Sequence, residues 1–171
     1  MIINRQWAMP NKNTFQIKPI KELIERYINQ QNEDSIILNP FANNSKIGIT
    51  NDIDPQYNTD YNMDALDFLR MYSDNSVDLV LYDPPFTPRQ VSECYKKLKY
   101  TVNMETTQAS YWSNQKKEIT RIVKKNGIVI CCGYNSGGIG EKNGFEIKEI
   151  LLVPHGGWHN DTIVTTCRKI K

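Results

Sequence analysis

The sequence predicts an α/β fold in which a mostly parallel sheet ends in an antiparallel strand. Helical and strand-like segments alternate through the first two-thirds of the chain, and strand-like runs cluster in the last third. The chain has 171 residues, the length of one ordinary domain, and it contains no linker-like or repetitive tract. We therefore expect a single domain that spans residues 1–171.

The first part of the chain is predicted to contain one helix and two short strands. Residues 1–13 are expected to form an irregular arm. From Ile20 onward, apolar residues recur at the spacing of one helical face, and Pro19 stands where the first turn of a helix tolerates proline. Residues 35–38 and 47–53 have the composition of strands.

The middle of the chain is predicted to contain a capped helix and the clearest strand. Asp64 can cap the short helix that follows it, and residues 77–82 form a regular apolar run that three nearby prolines end. Residues 89–115 are not assigned, and a helix is expected over about 114–125. Further strands are expected at residues 128–132, 145–153 and 162–167.

The composition excludes several classes of protein. No apolar run approaches the roughly 20 residues that a membrane-spanning helix needs, and the first residues lack the pattern of a signal peptide. We therefore expect a soluble, cytoplasmic protein with no membrane partner. The four cysteines form no CxxC pair, so no metal site is expected. A formal net charge of +2 leaves nucleic-acid binding to be decided by local clusters.

The strongest chemical signal is Asp83-Pro84-Pro85-Phe86, which follows the predicted strand 77–82. The carboxyl ends of parallel strands are where such sheets bind ligands. The Asp83 carboxylate and the Pro84 carbonyl can accept hydrogen bonds from an amino group, and two prolines hold that carbonyl rigidly. Phe86 can stack on an extruded base. Taken alone, the tetrapeptide is equally compatible with a strand end that has no catalytic role.

The tetrapeptide resembles the catalytic DPP(Y/F) motif of amino-group DNA methyltransferases, in the aspartate form typical of adenine enzymes. The resemblance implies a Rossmann-like fold, S-adenosylmethionine (SAM) as the cofactor, and methylation of a flipped adenine in DNA. It extends to compact phage and mobile-element enzymes, which share residues 88–93 and 155–161. Two alternatives stay open: methylation of RNA, and a related binding protein that has lost catalysis.

Other segments resemble the cofactor-binding elements of the same family. Residues 15–20 are similar to the segment at the methionine end of SAM, and residues 38–45 to the loop beneath the cofactor. Residues 51–54 and 63–66 are similar to the elements that contact its ribose and adenine. The resemblance implies cofactor contacts for Phe15, Ile17, Asn39, Pro40, Phe41, Asn44, Ser45, Asp52 and Asp64.

The sequence departs from the family at the cofactor loop. Only a few residues separate Pro40 from Ile47, whereas a parallel crossover usually needs about a dozen and contains a helix. We expect the helix after the first strand to be missing, which removes an anion-favouring helix terminus and weakens SAM binding unless other contacts replace it. Asn43 and Asn44 can adopt the left-handed geometry of glycine. Asn39 stands where the family has aspartate.

Nucleic-acid contact is expected from the segment after the catalytic motif. Between residues 89 and 125, basic side chains alternate with aromatic ones, as a surface for phosphates and unstacked bases requires. The alternative is a solvated helix face with a few core aromatics. The cluster includes Lys99 and Tyr100, and the contacts expected from this segment are Arg89, Lys96, Lys97, Tyr111 and Trp112.

A second substrate contact is expected from the glycine-containing segment 155–161. His155 and His159 have the spacing of metal ligands on a helix, but the two glycines between them disfavour a helix. A structural turn and a loop at the catalytic face are the two interpretations, and the resemblance favours the loop. The residues expected to contact the substrate are His155, Trp158 and His159. The sequence leaves a homo-oligomer open.

Overall fold

The computed structural model describes residues 1–98 and 109–171. Within these residues the chain forms seven strands and four α-helices. The strands are β1 (Ile2–Arg5), β2 (Ile37–Asn39), β3 (Ile49–Thr50), β4 (Val77–Tyr82), β5 (Val123–Gly133), β6 (Phe145–Val153) and β7 (Thr162–Lys169). The helices are α1 (Lys18–Ile28), α2 (Ala65–Arg70), α3 (Pro88–Lys97) and α4 (Ala109–Ile122). Lys99 and Tyr100 of the basic cluster lie outside the described residues.

All of these strands belong to one sheet, in the order β1-β6-β7-β5-β4-β2-β3. The pairs β2–β3, β2–β4, β4–β5 and β1–β6 are parallel. Strand β7 lies antiparallel between β5 and β6. The predicted sheet, mostly parallel with an antiparallel strand at the end, is confirmed. The carboxyl ends of the other six strands therefore meet at one margin of the sheet, which we call the carboxyl edge.

Helices cover both faces of the sheet. Helix α1 presents Ile20 and Ile24 to a core on one face that includes Leu79, and its spacing is the one the sequence predicts. Helices α2 and α4 pack on the other face, where Phe68 and Ile119 are fully buried. No helix in the described ranges is long and apolar enough to cross a bilayer.

The connection between β2 and β3 lacks a helix, as the sequence predicts. Residues 40–48 join these parallel strands through turns alone. Asn43 adopts a left-handed φ of 52°. Gly48 also has a positive φ of 70°, and a Cβ there would lie 2.5 Å from the Ile37 carbonyl oxygen. Only glycine allows this close approach, which is how a crossover of this length can close.

Three parts of the chain differ from the sequence-based expectation. The prediction of an irregular arm was wrong for Ile2–Arg5, which forms a strand paired with β6 although all four residues are exposed. The unassigned segment contains α3, which begins with a capping box between Thr87 and Gln90. The last helix ends at Ile122 and β5 starts at once, so Asn126 lies inside a strand, at a register irregularity, and not at a helix end.

Candidate active site at the carboxyl edge

A cavity of about 380 Å³ opens at the carboxyl edge of the sheet. It is bordered by residues 12–16, by the β2–β3 loop, by the ends of β3 and β4, and by α3. Thirteen of the residues that the sequence assigned to the site line this cavity. They are Phe15, Pro40, Phe41, Asn44, Ser45, Asp52, Asp64, Asp83, Pro84, Pro85, Phe86, Lys97 and Tyr111.

The Asp83 carboxyl group is held at the end of β4, inside this cavity. Its Oδ1 atom is buried and accepts no hydrogen bond from the part of the chain that the structure describes. Burial raises the pKa of Asp83 to about 7, against a smaller lowering by the Thr14 side chain. The site therefore contains a buried acceptor without a donor, which native structures rarely leave unexplained.

The rest of the segment Asp83-Pro84-Pro85-Phe86 is held by two side chains. The Trp112 indole donates to the Pro85 carbonyl oxygen at 2.9 Å. The Gln90 side-chain oxygen accepts from the Phe86 backbone N–H at 2.7 Å. Within the described residues, the Pro84 carbonyl oxygen accepts no hydrogen bond. Trp112 and Gln90 thus position the motif and leave the Pro84 carbonyl available. Sequence reasoning assigned neither of these positioning roles.

Asp52 organises the loop that forms the opposite wall of the cavity. Its two carboxyl oxygens accept from the backbone N–H groups of Asn43 and Asp54, each at 2.9 Å. Burial raises the pKa of Asp52, although these two hydrogen bonds oppose the rise. The Oδ1 atom of Asn43 is buried and has no partner in the described ranges. This wall therefore offers one further unpaired acceptor.

Asn51 is a positioning residue that sequence reasoning missed. Its Nδ2 donates to the carbonyl oxygens of Pro40 at 3.1 Å and Met63 at 3.0 Å, and its Oδ1 accepts from the Met63 N–H at 3.1 Å. The side chain is fully buried. Asn51 therefore joins the β2–β3 loop to the turn before α2. Its position next to Asp52 could have indicated a role, but the sequence analysis assigned the function of this segment to the Asp52 carboxylate.

Helix α3 lines one side of the cavity, and two of its side chains bond to the aspartates that follow β3 and precede α2. Asp64 caps α2 by accepting from the Leu66 N–H at 2.8 Å, and its other oxygen accepts from the Tyr95 hydroxyl. Lys97 forms an ion pair with Asp54 at 2.9 Å. Contact with Asp54 raises the pKa of Lys97. Lys97 is therefore engaged by the cavity wall, and this engagement competes with a phosphate contact.

Several predicted site residues lie away from the cavity. Ile17 is buried in the core of α1, and the Asn39 side chain is buried behind the loop, 3.5 Å from the Ile47 carbonyl oxygen. Arg89 is exposed and pairs with Glu93 at 2.7 Å. Lys96 is also exposed on α3. These residues do not line the cavity with the others.

The loop between β6 and β7 also stands apart from the cavity. His155 is buried, with Nδ1 2.8 Å from the Ala8 carbonyl oxygen and Nε2 2.9 Å from the Thr162 hydroxyl. Both ring nitrogens are thus used within the chain, so the geometry gives His155 a structural role. Trp158 is fully exposed, at 102%, and His159 is exposed beside it.

A second cavity, of about 450 Å³, lies against the same motif and shares Pro84 and Phe86 with the first. Trp112 and Tyr134 also line it. The Phe86 and Tyr134 rings meet edge to face, with centroids 4.8 Å apart. Tyr134 follows directly after β5, a position that sequence reasoning did not connect with the motif. Phe86 therefore stands between two cavities that both contain aromatic rings, and among the described lining residues only the first cavity has carboxylates.

Comparison with known proteins identifies the fold. No family model and no curated protein matches the chain. A candidate methylase from Haemophilus influenzae is similar with a TM-score of 0.57 and 11% identity, over 90% of this chain and 98% of that protein. The 1,6-didemethyltoxoflavin-N1-methyltransferase of Burkholderia thailandensis, solved with S-adenosylhomocysteine, gives 0.57 and 10% over 90% and 78%.

TrmN from Thermus thermophilus is similar with a TM-score of 0.56 and 14% identity. The match covers 90% of this chain and 49% of TrmN. At such low identity, the likeness establishes the fold alone. The chain has the Rossmann-like fold of SAM-dependent methyltransferases, which confirms the fold implied by the sequence resemblance.

Proposed function

We propose that the chain transfers a methyl group from SAM to the exocyclic amino group of adenine in DNA. The observation that carries this proposal is the Asp83 Oδ1 atom, a buried acceptor without a donor at the carboxyl end of β4. An amino group of a flipped base would supply the missing hydrogen bond. The choice of adenine and of DNA rests on the resemblance of the Asp83 motif to adenine-specific enzymes.

The motif can activate an amino group without a strong base. The lone pair of an aromatic amine is delocalised into the ring, so the amine is a poor nucleophile. Hydrogen bonds from its two hydrogens to Asp83 Oδ1 and to the Pro84 carbonyl would direct the lone pair away from the ring. SAM bound beside them would supply the methyl group, with a new N–C bond formed as the C–S bond breaks. The amine then loses one proton to water, and catalysis comes from positioning and fixed dipoles.

The residues around the first cavity fit a cationic cofactor. The described lining contains four aspartates, Asp52, Asp54, Asp64 and Asp83, against two lysines, Lys12 and Lys97. This excess of negative charge favours a sulfonium group and an ammonium group. Asn43 Oδ1 is a further unpaired acceptor on the same wall. A volume of about 380 Å³ lies in the range of cofactor sites.

The second cavity supports a planar aromatic substrate. Phe86 and Tyr134 provide aromatic surface beside the motif, and such surface holds unstacked bases at about 1–3 kcal/mol per base. Since this cavity shares Pro84 with the first one, a base in it would lie next to the amino-group acceptors. The two cavities thus divide into a cofactor side and a base side.

The test is incubation with isotopically labelled SAM and separate pools of DNA and RNA, followed by nucleoside analysis. We expect labelled N6-methyldeoxyadenosine from DNA, and a rate of labelling about 10²–10³-fold lower with Asp83→Asn. Label in ribonucleosides alone would replace DNA by RNA as the substrate. SAM binding without transfer to either pool would indicate a binding protein and would contradict the proposal.

A further inference from the structure

We propose that the amino-terminal arm and the β6–β7 loop together form a nucleic-acid platform, which holds the bases and phosphates next to the target base. We define this arm–loop platform as residues 5–12 and 154–161. The inference rests on the proposed function and assigns its DNA contact to a surface that shares only Lys12 with the two cavities. It also moves that contact away from the basic segment that follows the catalytic motif.

The two segments are held together at the carboxyl edge. They leave the ends of the paired parallel strands β1 and β6. The Gln6 N–H donates to the Leu152 carbonyl oxygen at 2.9 Å, and the Ala8 N–H donates to the Pro154 carbonyl oxygen at 3.2 Å. The buried His155 ring adds the contact to Ala8 described above. The arm and the loop therefore form one continuous surface at the carboxyl edge.

This surface exposes large apolar side chains that the chain does not cover. The exposed fractions are 59% for Trp7, 67% for Met9 and 102% for Trp158. An ideal Cβ on Gly156 would lie 3.4 Å from the Trp7 indole nitrogen, so Trp7 borders the loop that carries Trp158. Clustered exposed apolar groups mark interaction surfaces, and two tryptophan rings are suited to stack on bases.

The charge of the arm favours a polyanion. Residues 1–21 contain four basic residues and no acidic residue. Lys18 and Lys21 are paired along α1 with glutamates, whereas Arg5 and Lys12 form no ion pair in the described part of the chain. The loop carries one acidic residue, Asp161.

The basic segment after the motif is different, because its cations are partly neutralised. On α3, Arg89 pairs with Glu93 at 2.7 Å and Lys97 pairs with Asp54 at 2.9 Å. A phosphate bound there would have to replace a carboxylate. Lys96, Lys117 and Lys125 are also exposed and form no ion pair within the described residues, but the described aromatic rings of this segment are buried or half-buried. The combination of free cations with exposed indoles therefore favours the arm and the loop as the DNA-contacting surface.

The arm also leads directly to the reacting groups. Residues 12–16 line the first cavity, and the Thr14 side chain interacts with Asp83. A strand of nucleic acid that follows the arm from the loop toward Lys12 would thus reach the cavity that contains the acceptor for the target amino group. The platform would bind the flanking nucleotides while the cavities bind the cofactor and the flipped base.

The experiment measures binding of a fluorescently labelled DNA duplex by anisotropy. The double variant Trp7→Ala/Trp158→Ala should weaken DNA binding at least tenfold, because each stacked ring contributes about fivefold or more. SAM affinity should not change. The matched control Met71→Ala removes another exposed side chain, near the start of β4, and should bind DNA as the wild type does. Arg5→Gln should lower the slope of log affinity against log salt by about 0.9.

Trp158→Phe gives a second readout that does not depend on the fold, because the side chain contacts nothing that a phenyl ring would disturb. It should restore most of the affinity that Trp158→Ala loses. The platform is overturned if the wild type binds no DNA, or if the double variant binds with wild-type affinity. Label transfer from SAM to DNA together with wild-type binding by the double variant would leave the function intact and remove the platform. DNA binding that depends on both tryptophans, with no label transfer from SAM, would support the platform and contradict the proposed methyl transfer.

Discussion

The two walls of the first cavity use their polar groups in different ways. On the wall formed after β2 and β3, hydrogen bonds within the chain engage Asn51, Asp52 and Asp64. On the wall formed by β4, Asp83 Oδ1 is buried without a donor and the Pro84 carbonyl is free within the described residues. Apart from the unpaired Asn43 Oδ1 atom, the first wall is therefore built before any ligand arrives, whereas the second is completed by a ligand.

Because of this difference, we expect the loop wall to contribute to the stability of the fold and the Asp83 wall to contribute to activity. Hydrogen bonds on the loop wall each stabilise the folded chain by about 0.5–1.5 kcal/mol, whereas an unpaired buried acceptor costs about 1–3 kcal/mol. A change on the loop wall should thus disturb both the fold and the cofactor site. A change at Asp83 should remove activity and make the free protein more stable.

Asp83→Asn should have the largest effect. Replacing one carboxylate oxygen by an amide N–H turns an acceptor into a donor that opposes the substrate amine. We expect the rate of methyl transfer to fall by about 10²–10³-fold, the size of effect found when one preorganised hydrogen-bonding group is removed. SAM affinity, measured by calorimetric titration, should change less than twofold. A variant that loses SAM binding while keeping its fold would move Asp83 to the cofactor side.

The same substitution should stabilise the free protein above neutral pH. Because burial raises the pKa of folded Asp83 to about 7, the unfolded chain loses its proton first, and wild-type stability falls as pH rises from about 4 to 7. The asparagine variant lacks this loss. At pH 8 the Asp83→Asn variant should be more stable than the wild type by about 1–4 kcal/mol. The upper figure applies only without solvent screening, and Asp83 is partly exposed. Denaturant unfolding at pH 8 and pH 4 checks this, because the gain should disappear at the lower pH.

Asn51→Ala should show the opposite pattern. Three hydrogen bonds are lost, and the backbone groups of Pro40 and Met63 lose their partner. We expect a loss of about 1–3 kcal/mol in the free energy of unfolding, together with weaker SAM binding. Asn62→Ala is a suitable control, since that side chain also bonds to backbone carbonyls but is exposed. If Asn51→Ala keeps wild-type stability, the loop wall is not built as described.

The smallest effects should separate the two aspartates after β3. Asp52 holds the loop through two backbone N–H groups, while Asp54 pairs with Lys97 on α3. Asp52→Ala should therefore weaken SAM binding by about tenfold, and Asp54→Ala by only a fewfold. A hydrogen bond to a charged group contributes about 1.5–3 kcal/mol at most, which sets the upper limit for each effect. Calorimetric titration of both variants decides the order. The reverse order would transfer the ribose contact to Asp54.

The sheet could be predicted from the sequence because its strands follow local patterns. Residues 77–82 are apolar throughout, and β4 occupies the same residues. Strand β1 escaped prediction because its four residues are exposed and it is held by pairing with β6, a contact distant in sequence. Helix α3 was not predicted because its sequence is mostly polar and only Val91 and Tyr95 are buried, so it shows little apolar periodicity. The capping pair Thr87 and Gln90 could have indicated where it begins.

The site was predictable in its carboxylates and less so in its supports. Acidic residues and prolines have recognisable chemistry, and Asp52, Asp64 and Asp83 all line the cavity. The roles of Asn51 and Trp112 depend on which carbonyl each one reaches, and that depends on the packing of segments far apart in the chain. The two histidines had the spacing of ligands, but the buried ring of His155 is used to hold the arm.

The most direct test of the central claim is the titration of the Asp83 carboxyl group by NMR, with Asp83→Asn used to assign the signal. In the free protein we expect the pKa to be about 7, because burial disfavours the charged carboxylate by more than the Thr14 side chain stabilises it. Addition of S-adenosylhomocysteine and DNA containing the target adenine should lower it, because the amino group then donates to the charged form. A pKa near 4 in the free protein, or one that the DNA leaves unchanged, would contradict the account of Asp83 as the acceptor that awaits its substrate.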